Sequence, residues 1–162
     1  MKIGILSDTH DQMDAAVAAV RLLKQAGAEA LIHCGDVGRT TILDQLVGQP
    51  AAFVWGNTDY DRIALQRYAQ QIGIDCFGEW GELTWGGKRI ALLHGDDSIL
   101  RRQLLDGQNY DYLFQGHTHQ KTDQRIGRTR LINPGALYRA AVKTVALLET
   151  GNDQLDFLTV VA

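Results

Sequence analysis

The sequence predicts an α/β fold in which two β-sheets pack together with helices on the outside. Two observations carry this reading. The first half alternates short apolar runs with segments of helical period, the βαβαβ order of a parallel sheet with covering helices. The second half is mostly short strand-like runs, one folded back at a Gly-Gly pair, which reads as a second, mainly antiparallel sheet. The 162 residues are 45% hydrophobic and 22% charged, enough for one domain over residues 1–162 with a full-sized core.

The elements follow in order. KIGIL (2–6) reads as a strand. Residues 13–26, MDAAVAAVRLLKQA, repeat apolar positions at three and four and end before Gly27, so they read as a helix. ALIHC (30–34) is a second strand, TTILDQLVG (40–48) a second helix and AAFVW (51–55) a third strand. Residues 60–72 read as a helix. The segment 82–93 reads as a hairpin around Gly86-Gly87, and 97–106 as a helix capped by Asp96 or Asp97. Strands are expected at 111–115, 120–126, 128–132, 143–149 and 154–161, mostly antiparallel. GELTWGGKR approaches a phosphate-binding glycine loop. Gly87 displaces the lysine, however, and a strand follows where such a loop needs a helix N-terminus.

Composition excludes some functions. A net charge of −3 and a pI of about 5.9 do not suit capture of long nucleic acid or of a membrane surface. No apolar run approaches the ~20 residues of a membrane helix. MKIGILSDTH lacks the long apolar region of a signal peptide, which points to a cytoplasmic protein. Cys34 and Cys76 stand apart without CxxC spacing and read as reduced thiols.

Polar residues typical of metal sites recur just past strand ends. They are Asp8 and His10 in SDTH, Asp36 after Gly35, and Asn57 and Asp59 in GNTD. His94 precedes Gly95-Asp96, and His117 and His119 lie in QGHTH. The C-terminal edge of an α/β sheet is where loops converge on ligands. In extended backbone His117 and His119, two apart, would point to the same side. Asp8, His10, Asp36, Asn57, His94, His117 and His119 offer seven nitrogen and oxygen donors. One ion with an open position cannot use all seven, whereas two ions sharing a carboxylate can. Imidazole and carboxylate donors without cysteine suit Mn, Fe, Ni or Zn. Two metals about 3.5–4 Å apart are the usual arrangement for in-line phosphoryl displacement.

The ordered series DTH (8–10), GD (35–36), GN (56–57), HG (94–95) and GHTH (116–119), with NPG (133–135), resembles the calcineurin-like metallophosphoesterases. It is most similar to their small, capless phosphodiesterase branch. The resemblance implies a four-layer sandwich of two mixed β-sheets flanked by α-helices. It implies that Asp8, His10 and His119 hold one divalent ion, that Asn57, His94 and His117 hold a second, and that Asp36 bridges them. Mn is the first expectation, with Ni, Fe, Zn or Co as alternatives. A hydroxide bridging the ions would attack phosphorus in line with the leaving group of a small phosphodiester or nucleotide-like substrate. Many relatives carry a general-acid histidine after GN, where this chain has Thr58. Asp59 is then the candidate proton donor, completing a catalytic set with Asp36, Asn57 and His94. The alternative is a non-catalytic protein-interaction scaffold on the same fold, as in a retromer subunit. A homodimer or higher homo-oligomer is the assembly left open.

Other polar residues have plainer readings. His33 lies within a strand and is expected to be a hydrogen-bonded core histidine, with Cys34 a small buried neighbour. Asp11, Asp14 and Asp61 read as helix-start caps. Asp96 is either a cap or a support for a ligand histidine. Arg39 reads as a surface residue or a phosphate clamp. Lys121, Arg125, Arg128 and Arg130 read as a solvated strand face or a guide for acidic substrates. Trp55, Trp80 and Trp85 are read as core or subunit contacts.

Overall fold

A computed structural model describes residues 1–162. The first sheet has the order β11-β10-β1-β2-β3-β4 and the second β5-β6-β7-β9-β8. The strands of the first sheet are β1 (Lys2–Leu6), β2 (Ala30–His33), β3 (Ala51–Phe53), β4 (Asp75–Cys76), β10 (Thr144–Glu149) and β11 (Gln154–Thr159). Those of the second are β5 (Trp80–Trp85), β6 (Lys88–Leu93), β7 (Tyr112–Phe114), β8 (Thr122–Ile126) and β9 (Thr129–Asn133). The helices are α1 (Met13–Gln25), α2 (Thr40–Leu43, continued by a 3₁₀ turn at Asp44–Leu46), α3 (Arg62–Ile72) and α4 (Ser98–Asp106).

Alternation along the strands builds four layers. Ile3 and Ile5 of β1 and Ile32 of β2 face inward against Ile90 and Leu92 of β6, Phe114 of β7 and Ile132 of β9. Leu6 and Leu31 face the other way, onto Ala16, Ala19 and Leu23 of α1. Ala91, Leu93 and Leu113 form the outer face of the second sheet and pack on Leu104 and Leu105 of α4. Gly4 of β1 lies under α1, where a Cβ would come within 2.7 Å of the Leu31 side chain. Sheets covered on both faces explain why β1, β2 and β6 read as apolar runs rather than alternating ones.

Several expectations change. β7 is parallel to both β6 and β9, not antiparallel, because α4 carries the chain back across the sheet between β6 and β7. β10 and β11 join the first sheet, with β10 antiparallel to β1. The third strand stops at Phe53, where the next two amides bond across to His33 and Gly78. β4, only two residues long, has too few positions to show a pattern. The hairpin stands as expected: Gly86 and Gly87 both have positive φ, the requirement of a tight two-residue turn.

The charged face of β8 and β9 is held by ion pairs. Arg130 forks onto Asp123 at 2.7 and 3.0 Å and reaches Asp153 at 2.9 Å. Arg125 joins Asp153 at 2.7 Å, Arg128 joins Asp111 at 3.3 Å, and Lys121 lies over the Phe157 ring. Those arginines are therefore engaged within the chain. Asp61 caps α3 and Asp97 caps α4 through backbone N–H groups. Asp11 instead accepts from the Arg39 amide, and the exposed Arg39 guanidinium pairs with it. No helix is long and apolar enough to cross a membrane.

Candidate functional site

The loops after β1, β2, β3, β6 and β7 converge where the ends of the two sheets meet. Backbone bonds tie them together. Asp8 N–H donates to Gly35 O, His10 N–H to Asp36 O, and Gly116 N–H to His94 O. Asp8, His10, Asp36, His117 and His119 all have φ between 42° and 69°. The left-handed region costs an ordinary residue on the order of 1 kcal/mol, so five such residues in one place mark stored local strain.

The donor atoms point into one volume. Asp36 Oδ2 lies 3.2 Å from His10 Nε2 and 3.2 Å from His94 Nε2. Asp8 Oδ1 lies 3.2 Å from His119 Nε2, 3.9 Å from His10 Nε2 and 4.0 Å from His94 Nε2. Two groups result, Asp8 with His10 and His119, and Asp8 with Asp36 and His94. Within each group the donor atoms lie within 4.8 Å of one another. His117 and Asn57 are exposed at the rim, and the His117 ring stands edge-on to His94 at 5.1 Å. Residues 117–119 are not extended, because both histidines sit at positive φ. His117 therefore turns to His94 while His119 turns to Asp8, and they do not share one face.

Several of these atoms lack hydrogen-bond partners. Asp8 Oδ1, His10 Nε2 and His94 Nε2 are buried and make no hydrogen bond. A buried polar atom without a partner costs about 1–3 kcal/mol, so three around one carboxylate fit a cation. The other atoms of the same groups are satisfied. Asp8 Oδ2 accepts from Ser7 Oγ at 2.6 Å and from the His117 amide at 3.1 Å. His94 Nδ1 lies 2.8 Å from Cys34 O and so carries a proton, which leaves Nε2, 3.2 Å from Asp36 Oδ2, as the nitrogen that can exchange a proton for a cation.

Electrostatics agree. The Asp36 carboxylate holds the His10 imidazole above its ordinary range. Burial opposes charge on His94, but Asp36 and Asp8 outweigh it and push its pKa up to about 9. Burial would raise Asp36 too, yet His10 and His94 hold it well below the usual carboxylate range. The cluster thus stabilises positive charge at its centre.

A shell of less obvious residues holds the loops. Burial keeps His33 neutral, with its pKa down to about 3. Its Nδ1 accepts the Gly35 amide, so Nε2–H faces Thr9 Oγ1 at 3.0 Å, and Thr9 donates to Val37 O at 2.8 Å. Asn133 Nδ2 donates to Gly116 O at 2.7 Å and to Thr118 Oγ1 at 3.0 Å, binding the NPG turn to the GHTH loop. The Tyr138 ring lies 4.9 Å from that of His10.

Asp59 is a correction. It is buried, and its two carboxylate oxygens accept the amides of Val37, Gly38 and Gly56 at 3.2, 2.9 and 2.8 Å. Burial raises its pKa against those three donors, but its oxygens serve the backbone, so it anchors two loops instead of donating a proton to substrate. Asp96 does not cap α4, since Asp97 does.

The family model of the calcineurin-like phosphoesterase superfamily domain matches residues 1–153. The phosphodiesterase MJ0936 of Methanocaldococcus jannaschii is 26% identical over 155 residues, 93% of either chain. A solved archaeal phosphodiesterase superposes with a TM-score of 0.92 at 23% identity, covering 99% of this chain and 100% of the other. Vps29 of Entamoeba histolytica, solved with Zn²⁺, is similar in fold at a TM-score of 0.64 and 20% identity, with 98% and 99% covered.

Proposed function

This chain belongs to the calcineurin-like phosphoesterase superfamily, and on that footing we propose that it is a dinuclear-metal phosphodiesterase acting by in-line attack of hydroxide on phosphorus. Asp8, His10 and His119 would hold one divalent cation. Asn57, His94 and His117 would hold the other, with Asp36 between them. Mn²⁺ is the first choice for this donor set, and Ni, Fe, Zn or Co also suit it. The bound ions supply Lewis acidity, lowering the pKa of water and offsetting charge on the phosphoryl oxygens.

The chain's own residues prepare that chemistry. Ser7 and the His117 amide orient the Asp8 carboxylate, and Cys34 O fixes the His94 tautomer. Asp59 holds the Gly56-Asn57 turn against the Val37-Gly38 turn. Thr58 lies near His10 Nδ1 at 3.4 Å and is far too weak an acid to protonate a leaving group. With no side-chain proton donor there, small diesters with good leaving groups are the fitting substrates and dianionic monoesters the poorer ones. The three unpartnered donor atoms around Asp36 carry the reading.

Hydrolysis of bis(p-nitrophenyl) phosphate and of p-nitrophenyl phosphate tests it. Metal-stripped protein should be inactive, and added Mn²⁺ should restore diester cleavage above monoester cleavage. Diester cleavage that survives stripping, or none with Mn, Ni, Zn, Co or Mg, sinks the proposal.

A further inference from the structure

Beside the donor cluster lies a second feature, a cavity of about 110 Å³ that shares His94 as a wall. Trp55, Arg62, Glu79, Asp96 and Asp97 also line it. The space holds several water molecules, the scale of a short polar alcohol.

Its charges do not cancel. Arg62 is held within the chain: it pairs with Glu79 at 3.1 Å, donates to the carbonyls of Asp59 and Gly56, and lies 5.3 Å over the Trp55 ring. Asp97 accepts the amides of Ile99 and Leu100 at 3.0 and 2.9 Å and so offsets the positive end of α4. Asp96 remains: it is exposed, it lines the cavity, and its carboxylate forms no ion pair or hydrogen bond within the chain. Asp96 is therefore the carboxylate on the rim left free to meet a charged arm.

We propose that this cavity receives the ester arm that stays on phosphorus, and that Asp96 selects neutral or cationic arms over anionic ones. The inference rests on the phosphodiesterase reading above. The retained arm is chosen because a departing oxygen gains negative charge, which Asp96 would oppose. The retained arm gains none, and an ammonium on it would be attracted.

The test uses metal-loaded protein and three p-nitrophenyl phosphodiesters with a common leaving group. Their second arms are choline, its neutral tert-butyl isostere, and a carboxylate-bearing arm of equal length. Wild type should favour the choline diester over the carboxylate diester roughly tenfold in kcat/KM at low salt, less as salt rises. Asp96→Lys, a change on an exposed side chain, should abolish or invert that preference. The readout is the ratio of the choline to the carboxylate diester in kcat/KM, which a uniform loss of turnover does not move. Turnover of the neutral diester with no charge preference in wild type, or with a preference that Asp96→Lys leaves intact, overturns this proposal alone. Failure to turn over any of the three overturns it together with the reading on which it rests.

Discussion

Asp36→Ala should lower metal-dependent diester hydrolysis by at least about 10³-fold, because it removes the carboxylate that stands between His10 of one donor group and His94 of the other. Asp36 Oδ2 stands 3.2 Å from a nitrogen of His10 and from one of His94. Without it those imidazoles lose the charge that aligns them, and two cations at the site would lose the anion that screens them from each other. The fold should survive. The principal bond lost outside the cluster is that of the Thr58 amide to Asp36 Oδ1, worth about 1 kcal/mol. Asp36→Asn keeps an oxygen for that amide and should be nearly as inactive, which separates the charge from the hydrogen bond. Activity within about tenfold of wild type in either variant would contradict the role given to Asp36.

Gly56→Ala should cost both metal binding and stability, through a single methyl group. A Cβ at Gly56 would sit 2.1 Å from Asp36 Oδ1 and 2.3 Å from the Asp36 amide nitrogen. Neither atom can move aside easily. Asp36 already has a φ of 54°, and Oδ1 accepts the Thr58 amide at 2.9 Å. The Asp59 bonds that clamp the Gly56 turn to Val37 and Gly38 would also stretch. Overpacking of this kind costs roughly 1–3 kcal/mol, and the upper end is expected where backbone meets backbone. Gly151→Ala, whose added Cβ meets nothing within 4 Å, should change stability by less than about 0.5 kcal/mol. Thermal unfolding of the two variants, with and without added Mn²⁺, separates a local clash at the site from a general intolerance of alanine.

The divide between what was and was not legible in the sequence follows the range of the interactions. The βαβαβ half could be read because each strand and helix announces itself within three to thirteen residues. The partners of β7 and the sheet to which β10 belongs depend on contacts between segments far apart in the chain. At the site, the ligand loops were legible because each leaves a strand end with a polar residue on it. The residues that hold those loops were harder to find. Ser7 acts on its neighbour Asp8, but Asn133 acts on Gly116 across 17 positions and Asp59 on Val37 across 22. His33 could be read as a buried, hydrogen-bonded histidine, yet its partners Thr9 and Gly35 appear only once β1 and β2 are paired. His117 and His119 looked like one face because the extended chain has period two. The positive φ of both residues breaks that rule and sends the His119 imidazole to Asp8 and the His117 ring to the edge of His94.

The most direct test of the central claim is the number of divalent ions held by each chain. Metal-stripped protein dialysed against Mn²⁺ and analysed for bound metal should take up two ions per chain, and His119→Ala should lower the count toward one. A count of one or none in the unaltered protein would contradict the dinuclear account.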